Sequence, residues 1–247
     1  MKEFIVLLFV FLLSSCSKQP PLKQIGYFKI VSHFKVKKKQ ILILDAGHGA
    51  LDPGAINDSL NLYEKNVTRK IVDAILSIID TNKVSVIQTR PADKDIHRHD
   101  RINYANTYNP DMLLTVHINY DKDTACNGFE VAISDSLVTK MDEKDTISIL
   151  NPNKARAEKI ATTFSNKVAG LFPEMRHRKL KVRNDRIWMI CAGRYPSILL
   201  EFGFISSKKD LEYITDKKAI KKLASGIVES VYKELLPSKK NKKSKRV

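Results

Sequence analysis

The chain has 247 residues, of which 43% are hydrophobic, and a formal net charge of +16. This length supports one sizeable core, so we expect one principal domain. Part of the positive charge lies in two runs, "KVKKK" at 35–39 and "KKNKKSKRV" at 239–247. The second run has no aromatic residue on which bases could stack and no recognition-helix pattern, which argues against nucleic acid as a partner.

The N-terminus carries an export signal. Residues 1–15 combine a basic start with the apolar run "FIVLLFVFLL", which is too short to span a bilayer, and small residues then lead to Cys16. The sequence "LSSC" resembles a bacterial lipobox, in which the cysteine carries the lipid. The alternative is ordinary secretion with an incidental cysteine.

Residues 16–39 are interpreted as the lipidated cysteine and a polar tether, and 237–247 as a disordered basic tail. Export predicts a lipid-anchored domain that faces the periplasm in the bacterial cell envelope. There its charge would be drawn to anionic lipid or to the carboxylates of cell-wall peptides. Cys126 and Cys191 lack C-x-x-C spacing, which excludes a zinc ribbon and a thioredoxin motif.

Strand and helix patterns alternate through residues 40–236. In chain order we predict the strand "QILILD", the helix "EKNVTRKIVDAILSIID", the strand "KVSVIQT", the helix "DRINYANTY", and the strands "DMLLTVHI" and "GFEVAIS". The first helix should bury one face, formed by Val67, Ile71, Ala74, Ile75 and Ile78.

A polar segment at 135–153 follows, longer than most strand-to-helix connections. The helix "ARAEKIATTFSNKVAGLF", the strand "SILLEF" and the helix "KKAIKKLASGIVESVYKELL" complete the chain. Such alternation predicts the α/β class: a single domain with a twisted, mostly parallel central sheet flanked by helices on both faces.

Polar residues interrupt or follow three of the predicted strands. Asp45 and His48 follow "ILIL", His117 and Asn119 follow "MLLTV", and Glu201 interrupts "SILLEF". In parallel sheets, ligands bind at the carboxyl ends of the strands. The sequence therefore predicts that His48, His117 and Glu201 meet at one edge.

Each of these residues also has a plainer interpretation. His48 could cap a loop, His117 could be a satisfied core histidine, and Glu201 could form a buried salt bridge. Glu64 has capping-box spacing from Asn61 and suits a first helical turn. One carboxylate beside two imidazoles would equally make a zinc site of the His₂Glu type, with a fourth position for water.

Six motifs in order resemble the zinc-dependent N-acetylmuramoyl-L-alanine amidases. They are "DAGHGALDPGA" followed by "YEKNVT", then "TRPAD", "RINYAN", "DMLLTVHIN" and "PSILLEFGFISS". The resemblance covers roughly residues 40–235 and implies one Zn²⁺ held by His48, Glu64 and His117, with Glu201 as the catalytic carboxylate. Departures from the family pattern, such as "TVHIN" for "SIHAN", affect none of these four residues.

The resemblance leaves the roles of four other residues open. Asn119 would contact substrate or cap a turn, and Asp45 would orient a ligand imidazole or bond within a loop. Arg90 and Arg101 match the family pattern, but salt bridges with Asp93 or a neighbouring acid are the favoured interpretation.

The implied reaction is hydrolysis of the amide between N-acetylmuramic acid and the L-Ala of the peptidoglycan stem peptide. The alternatives are another exported zinc amide hydrolase, such as a peptidase or deacetylase, and a non-catalytic peptidoglycan-binding lipoprotein. In some relatives an insertion near 135–153 forms a helix that covers the active site until a protein activator displaces it. An ordinary surface loop is the alternative for this segment.

Overall fold

The computed structural model describes residues 39–141, 146–183 and 187–237. The predicted signal peptide at 1–15, Cys16 and nearly all of the tether and the basic tail lie outside these ranges. None of the described helices has the length and apolarity needed to cross a membrane.

Ten strands and six α-helices follow one another along the described chain. In order they are β1 (Gln40–Ala46), β2 (Ile56–Asn57), β3 (Leu62–Tyr63), α1 (Glu64–Leu76), β4 (Val84–Gln88), α2 (Arg98–Asn106), β5 (Met112–Asn119), β6 (Phe129–Ser134), β7 (Ser136–Met141), β8 (Thr146–Leu150), α3 (Lys154–Leu171), β9 (His177–Arg183), α4 (Trp188–Cys191), β10 (Ser197–Phe204), α5 (Lys208–Ile214) and α6 (Lys217–Leu235).

The central sheet has six strands in the order β4-β1-β5-β10-β6-β9. Only the β10–β6 pairing is antiparallel, and the other four are parallel. Helices α1, α3 and α6 pack on one face, while α2 and α4 pack on the other. The predicted α/β fold, with a mostly parallel sheet between two helical layers, is therefore confirmed.

Successive side chains of a strand point to opposite faces of the sheet, so each one packs against one of the two helical layers. Leu114 and Val116 of β5 join the core beneath α1 and α6, whereas Leu113 faces the smaller core with Ile102 of α2. His117 lies four residues after Leu113 on β5, so its side chain points to the same face of the sheet. The site residues therefore leave the sheet on the face that α2 and α4 cover only in part.

The segment 135–153 differs from the prediction. Its described residues form an antiparallel hairpin of β7 and β8, in which Leu137 and Val138 are buried. These two strands are neither an open surface loop nor a helix. The sequence predictions also missed β9, α4 and α5, which are short or highly charged segments.

Substitution of two isoleucines, one in α1 and one just after it, tests which side chains of this region are buried. Ile75 is fully buried, whereas Ile78, predicted on the same face, lies just past the end of the helix and is 48% exposed. We expect Ile75→Ala to lower the free energy of unfolding by about 2–5 kcal/mol. Ile78→Ala should change it by no more than about 0.5 kcal/mol. Urea denaturation of both variants measures this, and equal losses would contradict the packing described.

Candidate metal centre

Three elements bring two imidazoles and a carboxylate together. His48 follows the end of β1, His117 lies near the end of β5, and Glu64 is the first residue of α1. His48 Nε2 lies 3.1 Å from Glu64 Oε2, and His117 Nδ1 lies 2.9 Å from Glu64 Oε1. One ligand atom from each residue can be chosen so that all three lie within 4.8 Å of one another.

Backbone amides hold the Glu64 carboxylate in place. The amide of Ile118 donates to Oε1 and the amide of Ala55 donates to Oε2, each over 2.9 Å. The alternative of a capping box between Asn61 and Glu64 is wrong, because Tyr63 is the N-cap residue and makes no side-chain cap bond. Asn61 instead adopts a left-handed conformation that closes a short 3-10 helix. The Glu64 side chain is therefore available to the two histidines.

Burial and hydrogen bonding act in opposite directions on the charges of this cluster. Burial pushes the pKa of Glu64 upward, but its bonds to His117 and His48 outweigh burial and hold that pKa well below the ordinary value. Burial lowers the pKa of His117, yet the bond and charge of Glu64 raise it to about 9. Without a metal ion, the cluster therefore keeps its carboxylate charged, and His117 holds its proton to a higher pH than an ordinary imidazole.

The turn that carries His48 is unusually tight. His48 itself adopts a left-handed backbone conformation, with φ of 64°, which few residues other than glycine accept. Its Nδ1 lies 2.8 Å from Oδ2 of Asp52, so the ring turns Nε2 toward Glu64. The sequence predictions missed Asp52, although an acid four residues after the histidine in "HGALD" was the available signal.

Two buried arginines fasten the backbone beneath this turn. Arg101 donates to the carbonyls of Ala46 and His48 over 2.9 and 2.5 Å. Arg90 donates to the carbonyls of Ala46 and Gly47 over 3.1 and 3.2 Å. The salt bridges of the favoured interpretation are also present, from Arg90 to Asp93 over 3.6 Å and from Arg101 to Asp45 over 3.1 Å, but each arginine makes more bonds to carbonyl groups.

Asp45 has a different role from the predicted orientation of an imidazole. Its buried carboxylate accepts hydrogen bonds from Thr89, Thr115 and Arg101, and none from a histidine of the described chain. Burial alone would raise its pKa, but the Arg101 charge and the threonine bonds lower it. Asp45 therefore links β1 to α2, and Asp52 is the acid that bonds to a ligand candidate.

Glu201 lies beside His117 on the neighbouring strand. The two residues are direct partners in the parallel β10–β5 register, so their side chains leave the same face of the sheet. Glu201 Oε2 is buried and accepts no hydrogen bond from any described residue. Burial raises the pKa of Glu201 to about 7, with a contribution from the negative charge of Glu64. The alternative of a buried salt bridge is absent from the described residues.

Asn119 ends β5 close to the site. Its side-chain oxygen accepts a hydrogen bond from the amide of Tyr120 over 2.8 Å, which is the turn-capping interpretation. Its backbone carbonyl accepts from the amide of Ile205 over 2.8 Å and ties β5 to the end of β10.

A cleft of about 390 Å³ opens onto the two histidines. Its lining includes the rings of His48 and His117 on one side and Arg98 of α2 and Trp188 of α4 on the other. The metal candidate is thus reached from a space large enough for part of a substrate.

The comparisons with known proteins agree with this arrangement. Residues 42–233 match the model of the N-acetylmuramoyl-L-alanine amidase family. The chain belongs to this family. The sporulation-specific N-acetylmuramoyl-L-alanine amidase of Bacillus subtilis is 29% identical over 75% of this chain and 64% of its own length.

Two solved structures of family members share the fold. The amidase AmiC2 of Nostoc punctiforme superposes with a TM-score of 0.68 at 22% identity, over 81% of this chain and 99% of its own. The amidase CwlD of Clostridioides difficile, solved in complex with the GerS lipoprotein, gives 0.67 at 22% identity, over 80% and 98%. The family fold is therefore present across the catalytic region of the chain.

The glycine before His48 gives a direct test of the site's geometry. A methyl group at Gly47 would lie 2.4 Å from Cε1 of His117, so the ring has to move in Gly47→Ala. We expect this variant to bind Zn²⁺ at least about tenfold more weakly, measured by competition with a chromophoric chelator. Gly170→Ala is the matched control, because a methyl group there meets nothing within 4 Å. Unchanged affinity in Gly47→Ala would contradict the placement of His117.

The raised pKa of His117 predicts how metal affinity depends on pH. A metal ion must displace the proton of this imidazole at every pH below about 9, whereas an ordinary histidine is already deprotonated above 6.5. Affinity for Zn²⁺ should therefore keep rising with pH up to about 9, by about tenfold per unit for each proton displaced. Chelator competition over this range measures it, and a plateau near pH 7 would argue against the prediction.

Proposed function

We propose that the protein is a zinc-dependent N-acetylmuramoyl-L-alanine amidase that cleaves the amide between N-acetylmuramic acid and the L-Ala of the peptidoglycan stem peptide. The observation that carries the proposal is the cluster of His48, Glu64 and His117 beside Glu201, in a chain of this amidase family. Removal of peptide stems in this way would serve wall remodelling or cell separation.

The donor set fits Zn²⁺. Two imidazole nitrogens and one carboxylate are typical catalytic zinc ligands, and tetrahedral bonds of about 2.0–2.1 Å hold ligand atoms about 3.3 Å apart. One ligand atom from each of the three residues lies within 4.8 Å of the other two, so the side chains would have to move closer together to reach this spacing. The bond from Asp52 to His48 supplies the carboxylate–histidine support common at such sites. Zn²⁺, when bound, would act as a Lewis acid that polarises a carbonyl group and lowers the pKa of water to about 7.

Glu201 is the proton carrier in this proposal. With a pKa of about 7, its carboxylate can take a proton from the attacking water and return it to the leaving amine nitrogen. Oε2 makes no bond to a described residue, so this oxygen is free to accept that proton. No protein nucleophile is needed, which agrees with the lack of a G-x-S-x-G motif in the sequence.

Two other functions make different predictions about the products. A peptidase or deacetylase would leave the lactyl-peptide amide intact, and a non-catalytic wall-binding protein would release nothing. The buried carboxylate of Glu64 and the buried Oε2 of Glu201 favour an enzyme, since a binding protein gains nothing from the cost of burying them. Digestion of purified sacculi with and without chelator separates the three, because only the amidase exposes L-Ala amino groups in a chelator-sensitive way.

Peptidoglycan is the proposed partner of the cleft, and we place the enzyme in the cell envelope. A lipid on Cys16 would hold it at a membrane with the catalytic domain facing the periplasm. A protein activator is also proposed, since CwlD was solved with a lipoprotein.

Two substitutions separate metal binding from proton transfer. We expect Glu201→Gln to retain Zn²⁺ and to lose activity by about 10²–10⁴-fold, because the amide cannot carry the proton. His48→Ala should lose both the metal and the activity. Zinc content by atomic absorption and release of L-Ala amino groups from sacculi measure the two properties.

The matched control is Glu229→Gln on α6, where the carboxylate is 63% exposed and, among the described residues, pairs only with Lys167. It should keep full activity. Full zinc occupancy in His48→Ala would refute the ligand assignment, and a fully active Glu201→Gln enzyme would remove the proposed proton carrier.

A further inference from the structure

One part of the cleft lining has no role in the chemistry described so far, and it is called the apolar wall here. It combines the indole of Trp188 with the aliphatic side chains of Ile96, Ile187 and Met189, and the carboxylate of Asp95 lies at the same cleft. His48 and His117 line the same cleft. A part of the substrate that packs on this wall is therefore either bonded to the reacting amide or adjacent to it.

The Trp188 ring is held in position by its neighbours. It meets the ring of His99 edge to face, with centroids 4.5 Å apart, and the Arg98 guanidinium lies 6.0 Å from its centroid. It is half-buried, at the start of the short helix α4. A fixed aromatic surface of this kind loses little conformational freedom when a ligand packs against it.

Charges of both signs line the cleft, from Asp52 and Asp95 and from Arg98 and Arg101. Asp95 is exposed and bonds to no described residue, and Asp52 also reaches the cleft. Asp52 bonds to His48 and Arg101 bonds to Asp45, so Asp95 is the carboxylate of this lining that remains available among the described residues to accept hydrogen bonds from the hydroxyl groups of a sugar. The apolar C–H face of a pyranose ring suits an indole, and the methyl group of an N-acetyl substituent suits the aliphatic side chains around it.

We propose that Trp188 and Asp95 form a saccharide subsite that binds the N-acetylated amino sugar on the glycan side of the scissile amide. This inference rests on the proposed amidase function for the identity of the sugar. The subsite would place the lactyl carbonyl near His48 and His117, and it would make the glycan strand part of what the enzyme recognises.

The chain provides its own reporter, since Trp188 is its single tryptophan. Titration of the protein with the peptide-free disaccharide of N-acetylglucosamine and N-acetylmuramic acid should give a saturable change in tryptophan fluorescence. Calorimetry should show binding weakened about tenfold or more in Trp188→Ala, as for the loss of a buried aromatic anchor. Asp95→Asn should also weaken binding, and Trp188→Phe should restore part of it.

Tyr104→Ala is the matched control, because this exposed tyrosine lies on α2 outside the lining of the cleft. It should bind the disaccharide as the unaltered protein does. The subsite is overturned if the disaccharide gives no saturable change, or if a sugar-free stem peptide gives the change instead. If Trp188→Ala does not fold, the subsite is still tested by the fluorescence titration of the unaltered protein and by the binding of the disaccharide to Asp95→Asn.

Hydrolysis of sacculi, measured in parallel, keeps this inference separate from the proposed function. Release of L-Ala amino groups without any binding of the disaccharide would overturn the subsite and leave the amidase function intact. Binding of the disaccharide without such release would support the subsite and overturn the amidase function.

Discussion

The buried carboxylate of Glu64 is the interaction on which the rest of the site depends. An ionised carboxylate is costly to remove from water unless several donors satisfy it. Here two imidazoles and two backbone amides do so, and they come from the turn after β1, from β5 and from the segment before α1. One side chain therefore ties the first helix to the carboxyl edge of the sheet, and the same geometry creates a ligand set for a metal ion.

The strained turn at His48 can persist because buried cations fix the carbonyls around it. A left-handed non-glycine residue costs of order 1 kcal/mol or more unless its surroundings determine its conformation. Arg101 bonds both to Asp45 in β1 and to the carbonyls of the turn, so one guanidinium connects strand, turn and α2. Arg98, which lines the cleft at the start of α2, and the ligand candidate His48 after β1 thus share one rigid support.

Periodicity allowed the larger elements to be predicted, since β1, β5 and β10 are apolar runs and α1 and α6 have clear buried faces. Charged β9 and four-residue α4 carry no such signal. At the site, the resemblance identified the proposed ligands, but the partners of Asp45 could not be predicted. Thr89 and Arg101 lie 44 and 56 residues away from it along the chain, and only the folded sheet brings them to that carboxylate.

Glu201 shows why the fold accepts a local loss of stability. A buried acceptor without a donor costs about 1–3 kcal/mol, and Oε2 of Glu201 is such an acceptor among the described residues. Its register with His117 fixes the side chain on the face of the sheet where the candidate metal ligands lie, while burial raises its pKa to about 7. A hydrogen-bond donor there would stabilise the charged form and lower this pKa, which would weaken the residue as a base. Burial without a donor from the described residues is therefore the feature that makes this carboxylate suited to carry a proton.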